Sequence, residues 1–152
     1  MTFDDLKFKY AGINCAFPEH FKSPNDSRII MDLIVNHACD FPKSYIDFQL
    51  IHCHETPMGD FAQEGFRWAN DKVDPSESLK DLILEFRSND YPDYLTPFGF
   101  DDEGYWCFDK RLKSEVGECR VVIYSPEQNE ITTERRWQNF IFWLDATMDE
   151  NY

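Results

Sequence analysis

The sequence predicts an α+β fold in which a mainly antiparallel sheet is covered by helices, and three observations carry that prediction. Hydrophobic periodicity changes along the chain in the order helices, strands, helix, strands, helix. The regular strand–helix alternation that builds a doubly wound parallel sheet is absent. The composition is 42% hydrophobic and 16% aromatic with 14 Phe, ample material for one core in 152 residues. The 8 Pro and 6 Gly are scattered singly, with no linker, repeat or low-complexity tract, so a single domain over 1–152 is expected.

Each element has its own signal. Residues 1–24 mix Phe3, Phe8, Tyr10, Phe17 and Phe21 with charges, and Pro18 and Pro24 interrupt any long helix, which predicts an irregular arm packed on the body. From Asn25 or Asp26, both capping types, Ile30, Leu33, Ile34 and Ala38 keep helical spacing until Phe41-Pro42, giving a helix over about 26–39. Pro42 suits the first turn of a second helix over about 43–52, with Tyr45, Phe48, Ile51 and His52 on one face. Phe61, Phe66, Trp68 and Val73, with Gly59 and Gly65 as turn candidates, suit one or two short strands over 59–73.

Asp74-Pro75-Ser76-Glu77 reads as a helix start, with Asp74 as the cap, Pro75 first in the helix and Glu77 reaching back. Leu79, Leu82, Ile83 and Phe86 continue its period. Tyr94 to Phe100 and Tyr105 to Phe108 read as two aromatic strands flanking an acidic turn. Cys119 to Tyr124 is a β-branched third strand, and Thr132 or Thr133 opens a closing helix whose buried stripe is Trp137, Phe140, Ile141, Leu144 and Met148.

Charge narrows the function classes. Fifteen basic and 29 acidic side chains give −14, a surface that repels nucleic-acid phosphate and anionic lipid and attracts basic proteins. Residues 1–75 carry 12 acids and 7 bases (−5) and residues 76–152 carry 17 and 8 (−9), so the second half holds more of the field. Lys110, Arg111 and Lys113 form the one compact basic group and are expected to balance neighbouring acids. The longest apolar runs fall far short of the ~20 residues a membrane-spanning helix needs. Cysteines 15, 39, 53, 107 and 119 are odd in number, without CxxC spacing, and no secretory signal pattern opens the chain. Reduced thiols in a cytoplasm are the expectation.

Two stretches carry a resemblance. A helix leads into Phe41-Pro42-Lys43-Ser44-Tyr45-Ile46-Asp47-Phe48, and later comes Pro97-Phe98-Gly99-Phe100-Asp101-Asp102-Glu103-Gly104-Tyr105-Trp106-Cys107-Phe108-Asp109, followed by a strand and a closing aromatic helix. Over roughly residues 26–148 this resembles the SUKH superfamily, the SMI/KNR-like proteins. The family's Gly-containing turn after the second helix stands here as the less typical His54-Glu55-Thr56-Pro57-Met58-Gly59. The resemblance implies an α+β fold and a non-enzymatic role: many bacterial members resemble immunity proteins against toxins, often nucleases, and fungal members resemble signalling scaffolds.

Candidate chemistry is sparse. His52-Cys53-His54-Glu55 is the best local metal constellation, yet a helix would splay the two histidines apart and no second cluster completes a tetrahedral site, so no metal is expected. No glycine-rich phosphate loop, dinucleotide fingerprint or GxSxG elbow occurs, and no catalytic residue or cofactor is expected. A hydrolase built on a carboxylate or a His/Cys pair is the alternative from another class. The expected binding residues are Asp101, Asp102 and Glu103, three carboxylates on a turn, with Tyr105, Trp106 and Trp68 as aromatic anchors. Core burial is the competing reading for the tryptophans, Trp137 and Trp143 included. The partner they fit is a protein, a basic toxin domain, and neither nucleic acid nor membrane.

Overall fold

The computed structural model describes residues 1–9, 27–51, 65–70, 73–113 and 117–151. Helices α1 (Phe3–Lys9), α2 (Ser27–Asn36) and α3 (Lys43–Ile51) come first, then α4 (Leu79–Ser88), strands β1 (Leu95–Asp101), β2 (Gly104–Lys113), β3 (Cys119–Ser125) and β4 (Glu130–Trp137), and finally α5 (Phe140–Asn151). The four strands form one sheet in the order β1-β2-β3-β4, every pair antiparallel. The short segment around Phe66 lengthens it at the β1 edge through an antiparallel bridge to Gly99. The structure is thus the α+β sheet with helical cover that the sequence predicts.

The two faces of the sheet are packed differently. On the inner face, Phe98, Phe108, Val121 and Ile123 meet Tyr45 and Phe48 of α3 and Phe140, Trp143 and Leu144 of α5 in one buried cluster. Phe98 and Phe108 stack at 4.5 Å, and Tyr45 stands edge-on to Phe108 at 4.9 Å and to Phe140 at 5.2 Å. Such pairs contribute about 0.5–1.5 kcal/mol each beyond their area, so this face dominates the stability. The outer face carries Leu95, Cys107, Val122 and Tyr124 under Phe86 of α4, with Tyr91, Tyr94, Tyr105 and Ile131 half-buried around them.

A buried amide fixes the segment beside β1. The Gln49 side chain, fully buried on α3, donates to the Tyr45 hydroxyl and the Arg67 carbonyl, both at 2.9 Å, and its oxygen accepts from the Ala69 N–H at 3.2 Å. One N–H and the carbonyl oxygen of that amide set where residues 67–69 lie, and the bond to Tyr45 holds the amide in place. Two glycines allow the close approach that follows. A Cβ on Gly99 would fall 2.5 Å from the Trp106 ring and 2.6 Å from the Gly65 carbonyl oxygen, and one on Gly65 would fall 1.8 Å from the Phe100 carbonyl oxygen.

Several expectations need correction. The N-terminal arm is not irregular throughout: Phe3–Lys9 is helical, started by a reciprocal cap in which Thr2 Oγ1 accepts from the Asp5 N–H and the Thr2 N–H donates to the Asp5 carboxylate. Leu6 is buried and Lys9 pairs with Asp145 of α5 at 2.7 Å, so this helix packs on the body; residues 10–24 lie outside the described set. Asp74 makes no capping bond. Residues Pro75–Glu77 are a single 3-10 turn, and α4 is capped by Ser78, whose hydroxyl accepts from the Asp81 N–H at 3.3 Å. The stripe Leu79, Leu82, Ile83 and Phe86 is buried as the spacing predicts.

The largest correction concerns residues 130–137, which form the edge strand β4 where the sequence suggests the start of the last helix. That helix begins at Phe140, with the Asn139 side chain accepting from the Phe142 N–H. Trp137 therefore packs on the core from a strand, while Phe140, Ile141, Leu144 and Met148 are the buried helical stripe and Trp143 is buried with them. Within 59–73 the described residues form isolated bridges at Phe66 and Trp68. Residues 59–64 and the candidate cap Asn25-Asp26 lie outside the described set.

Candidate functional site

The acidic turn is a tight hairpin tip. Asp101 pairs with Gly104, Asp102 and Glu103 form the turn, and the Glu103 N–H donates to Asp101 Oδ1 at 2.9 Å. Gly104 has φ +150° and sits against the Tyr124 carbonyl, where a Cβ would approach to 2.2 Å. One acid thus shapes the turn, and Asp102 and Glu103 project into solvent, both exposed.

This tip is one wall of a cleft of about 480 Å³. The first turns of α4 contribute Asp81, Leu82 and Glu85, the β3–β4 turn contributes Pro126 and Glu127, and Phe100 and Tyr105 form aromatic walls. Tyr105 stands edge-on to Phe86 at 5.2 Å and to Phe100 at 6.1 Å, and burial beside Glu85 raises its hydroxyl pKa above the ordinary value. At the base lies Arg67, 6% exposed, its guanidinium 4.5 Å from the Phe100 ring centre. Six carboxylates, those of Asp81, Glu85, Asp101, Asp102, Glu103 and Glu127, line the same cleft. Such walls concentrate a negative field over a concave, partly aromatic surface.

Of the residues predicted to meet a partner, the structure brings Asp101, Asp102, Glu103 and Tyr105 together here. Trp106 and Trp68 are corrections, each 5% exposed. Adjacent strand residues face opposite ways, so when Tyr105 turns outward Trp106 turns inward onto Gly99, Phe98 and Trp143. Trp68 packs on Phe48 and Phe66. Neither indole is available to a docking partner.

Asp81, Glu85, Glu127 and Arg67 are cleft residues that sequence reasoning missed. Asp81 and Glu85 were recoverable, since they lie four apart on the face of α4 opposite its buried stripe. Glu127 and Arg67 reach the cleft only through the hairpin register and the bridge at Phe66, which no local pattern reports.

Other candidate chemistry is placed plainly. Cys39, Cys107 and Cys119 are free and buried; burial pushes the Cys39 and Cys119 thiols up to about 11 and Cys107 well above its ordinary value, which leaves them weak nucleophiles. Residues 52–55 lie outside the described set. Among the described residues no three His, Cys, Asp or Glu side chains are grouped to hold a metal, and no helix is long and apolar enough to cross a membrane. Arg111 pairs with Asp109 and Lys113 with Asp40, as the balancing role predicts, whereas Lys110 makes no ion pair among the described residues. A second groove, about 640 Å³, lies between the starts of α1 and α3, but its Glu118 is engaged by the Ser44 hydroxyl and N–H at the start of α3.

A family model described as SMI1-KNR4 cell-wall matches residues 14–149. Comparison with curated proteins and with solved structures returned no match. The match spans most of the chain, including every strand of the sheet and the acidic hairpin: the protein belongs to the SMI1-KNR4 family of the SUKH superfamily.

Proposed function

We propose that this protein is a non-enzymatic binding protein of the immunity type, acting in the cytoplasm by occupying a basic toxin domain through the cleft beside the acidic hairpin. The observation that carries the reading is the cleft itself, with six carboxylates and two aromatic walls in a chain of net charge −14. A nuclease toxin must present a cationic surface to nucleic-acid phosphate, and an acidic cleft competes for that surface and speeds encounter with it. Phe100, 41% exposed, and Tyr105 supply contact area that forms after docking.

The test is inhibition. The purified chain is titrated into the toxin domain encoded beside its gene, and residual toxin activity is measured together with complex formation. Stoichiometric loss of activity supports the reading, and full toxin activity with no complex overturns it. A second reading, a regulatory binding module with a housekeeping partner, is favoured by the description of the matching family model. Its signature is a stable partner that is not a toxin and that binds equally well after the cleft carboxylates are neutralised.

A further inference from the structure

The far end of the outer sheet face, away from the acidic cleft, carries arginines in adjacent strands. Asp109 on β2 is 1% exposed and opposes Arg120 on β3; Val122, two residues on, opposes Arg136 on β4. Opposed residues of an antiparallel pair share a face, and neighbouring strands lie about 4.8 Å apart. Arg111 folds back into this row, its Nε and Nη2 donating to the two Asp109 carboxylate oxygens at 3.1 and 2.9 Å. Its guanidinium also lies over the Tyr94 ring, 3.7 Å from the ring centre, with half of the side chain still exposed.

Lys9, Lys43, Lys80 and Lys113 each have a carboxylate within ion-pair distance. The Arg120 side chain makes no ion pair or hydrogen bond among the described residues, and the Arg136 side chain reaches only the Thr132 carbonyl, at 3.4 Å. Among the described residues, two guanidiniums without a carboxylate partner thus stand beside one already held rigid. Asp109 cancels one charge of the three, which leaves a net positive row with one preorganised donor edge.

We propose that Arg111, Arg120 and Arg136 form an oxyanion-binding row on the outer sheet face, separate from the acidic cleft and independent of its partner. Planar guanidinium forks match the oxygen spacing of phosphate and carboxylate, and a donor pinned by Asp109 and Tyr94 loses little freedom on binding. The ligand is an oxyanion, either free as phosphate or carried on acidic side chains.

The test is a pair of titrations of the intact chain at matched ionic strength, one with inorganic phosphate and one with a capped tri-glutamate peptide, following the arginine Nε–Hε resonances by NMR. Saturable shifts at Arg111, Arg120 and Arg136, with Arg28 and Arg87 unmoved, are expected. Phosphate alone acting identifies a free oxyanion; the peptide acting at the same resonances identifies carried carboxylates. Arg120→Gln and, separately, Arg136→Gln at an exposed position should each weaken binding about tenfold, the loss of one charge-assisted bond. An unchanged dispersed spectrum in each variant certifies the fold. No saturable shift with either probe, or shifts that survive both substitutions, would overturn the proposal.

Discussion

The inner and outer faces of one sheet divide the work of this molecule. The inner face is dry and built of Phe and Trp, and its polar contact with α3 runs through Gln49 and Tyr45. The outer face uses Tyr where the inner uses Phe, leaves Tyr91, Tyr94 and Tyr105 half-exposed, and places its charges at opposite ends, carboxylates at the hairpin tips and arginines beyond Tyr94. A tyrosine buries a ring and keeps a polar tip in water, so a face made of tyrosines can be both core and surface. Stability therefore resides on the inner face and the recognition proposed above on the outer one, with the two separated by a single strand thickness.

The most severe way to break this division is at the seam. Gly99→Ala drives a methyl into the Trp106 ring and the Gly65 backbone at once, and loss of the cooperative unfolding transition is expected by circular dichroism. Next in size is the contrast between the faces. Phe98→Ala should cost about 3–5 kcal/mol in urea denaturation, a large-to-small change in a closed core. Tyr105→Ala, at a half-exposed position, should cost less than half as much; equal losses would show that the outer face carries the fold too.

Alkali should act through the buried acids. Burial holds the Cys39 and Cys119 thiols near 11 against an ordinary 9, and it raises Cys107 and Tyr45 in the same direction. The unfolded chain releases these protons first as pH rises, so their contribution is whole below pH 9 and is lost as pH passes through about 11. Denaturation midpoints measured across that range should fall steadily, and a flat profile would mean that the thiols reach solvent.

Smaller effects separate the true helix cap from the false one. Ser78→Ala should cost about 0.5–2 kcal/mol, while Asp74→Ala should leave the midpoint unchanged, because the hydroxyl of Ser78 holds the Asp81 N–H. The smallest effect on the fold is expected at the hairpin tip. Asp101→Asn, Asp102→Asn and Glu103→Gln together should barely move stability yet slow association with a basic partner. That slowing should fade as salt shortens the Debye length from about 10 Å at 0.1 M to about 3 Å at 1 M. Unchanged association at low salt would detach the tip from recognition.

What was legible in the sequence follows physical range. The hairpin was readable because Asp-Asp-Glu-Gly between aromatic runs is a local signal, and α4 was readable because four apolar residues keep one period. Strand β4 was not: of Glu130–Trp137 only Ile131 and Trp137 are apolar, and Trp137 falls three residues before Phe140, in phase with the helix that follows. Its strand character comes from pairing with β3, a tertiary cause. Helix α1 was recoverable from Thr2 and Asp5, a local cap overshadowed by the prolines downstream. The cleft was half legible, since the tip is contiguous in sequence but Arg67, Glu85 and Glu127 arrive from three other places.

The buried amide of Gln49 has a consequence for motion. Lifting residues 67–69 off α3 would strand one N–H donor and the carbonyl acceptor of the Gln49 amide in a buried interior, so this segment cannot fray residue by residue. It opens with α3 or stays shut, and the amide of Ala69 should exchange with deuterium at the slow rate of the buried helix rather than the fast rate of a surface loop. The base of the cleft, set by Arg67, thereby inherits the lifetime of the core, while the hairpin tips above it keep the freedom of turns.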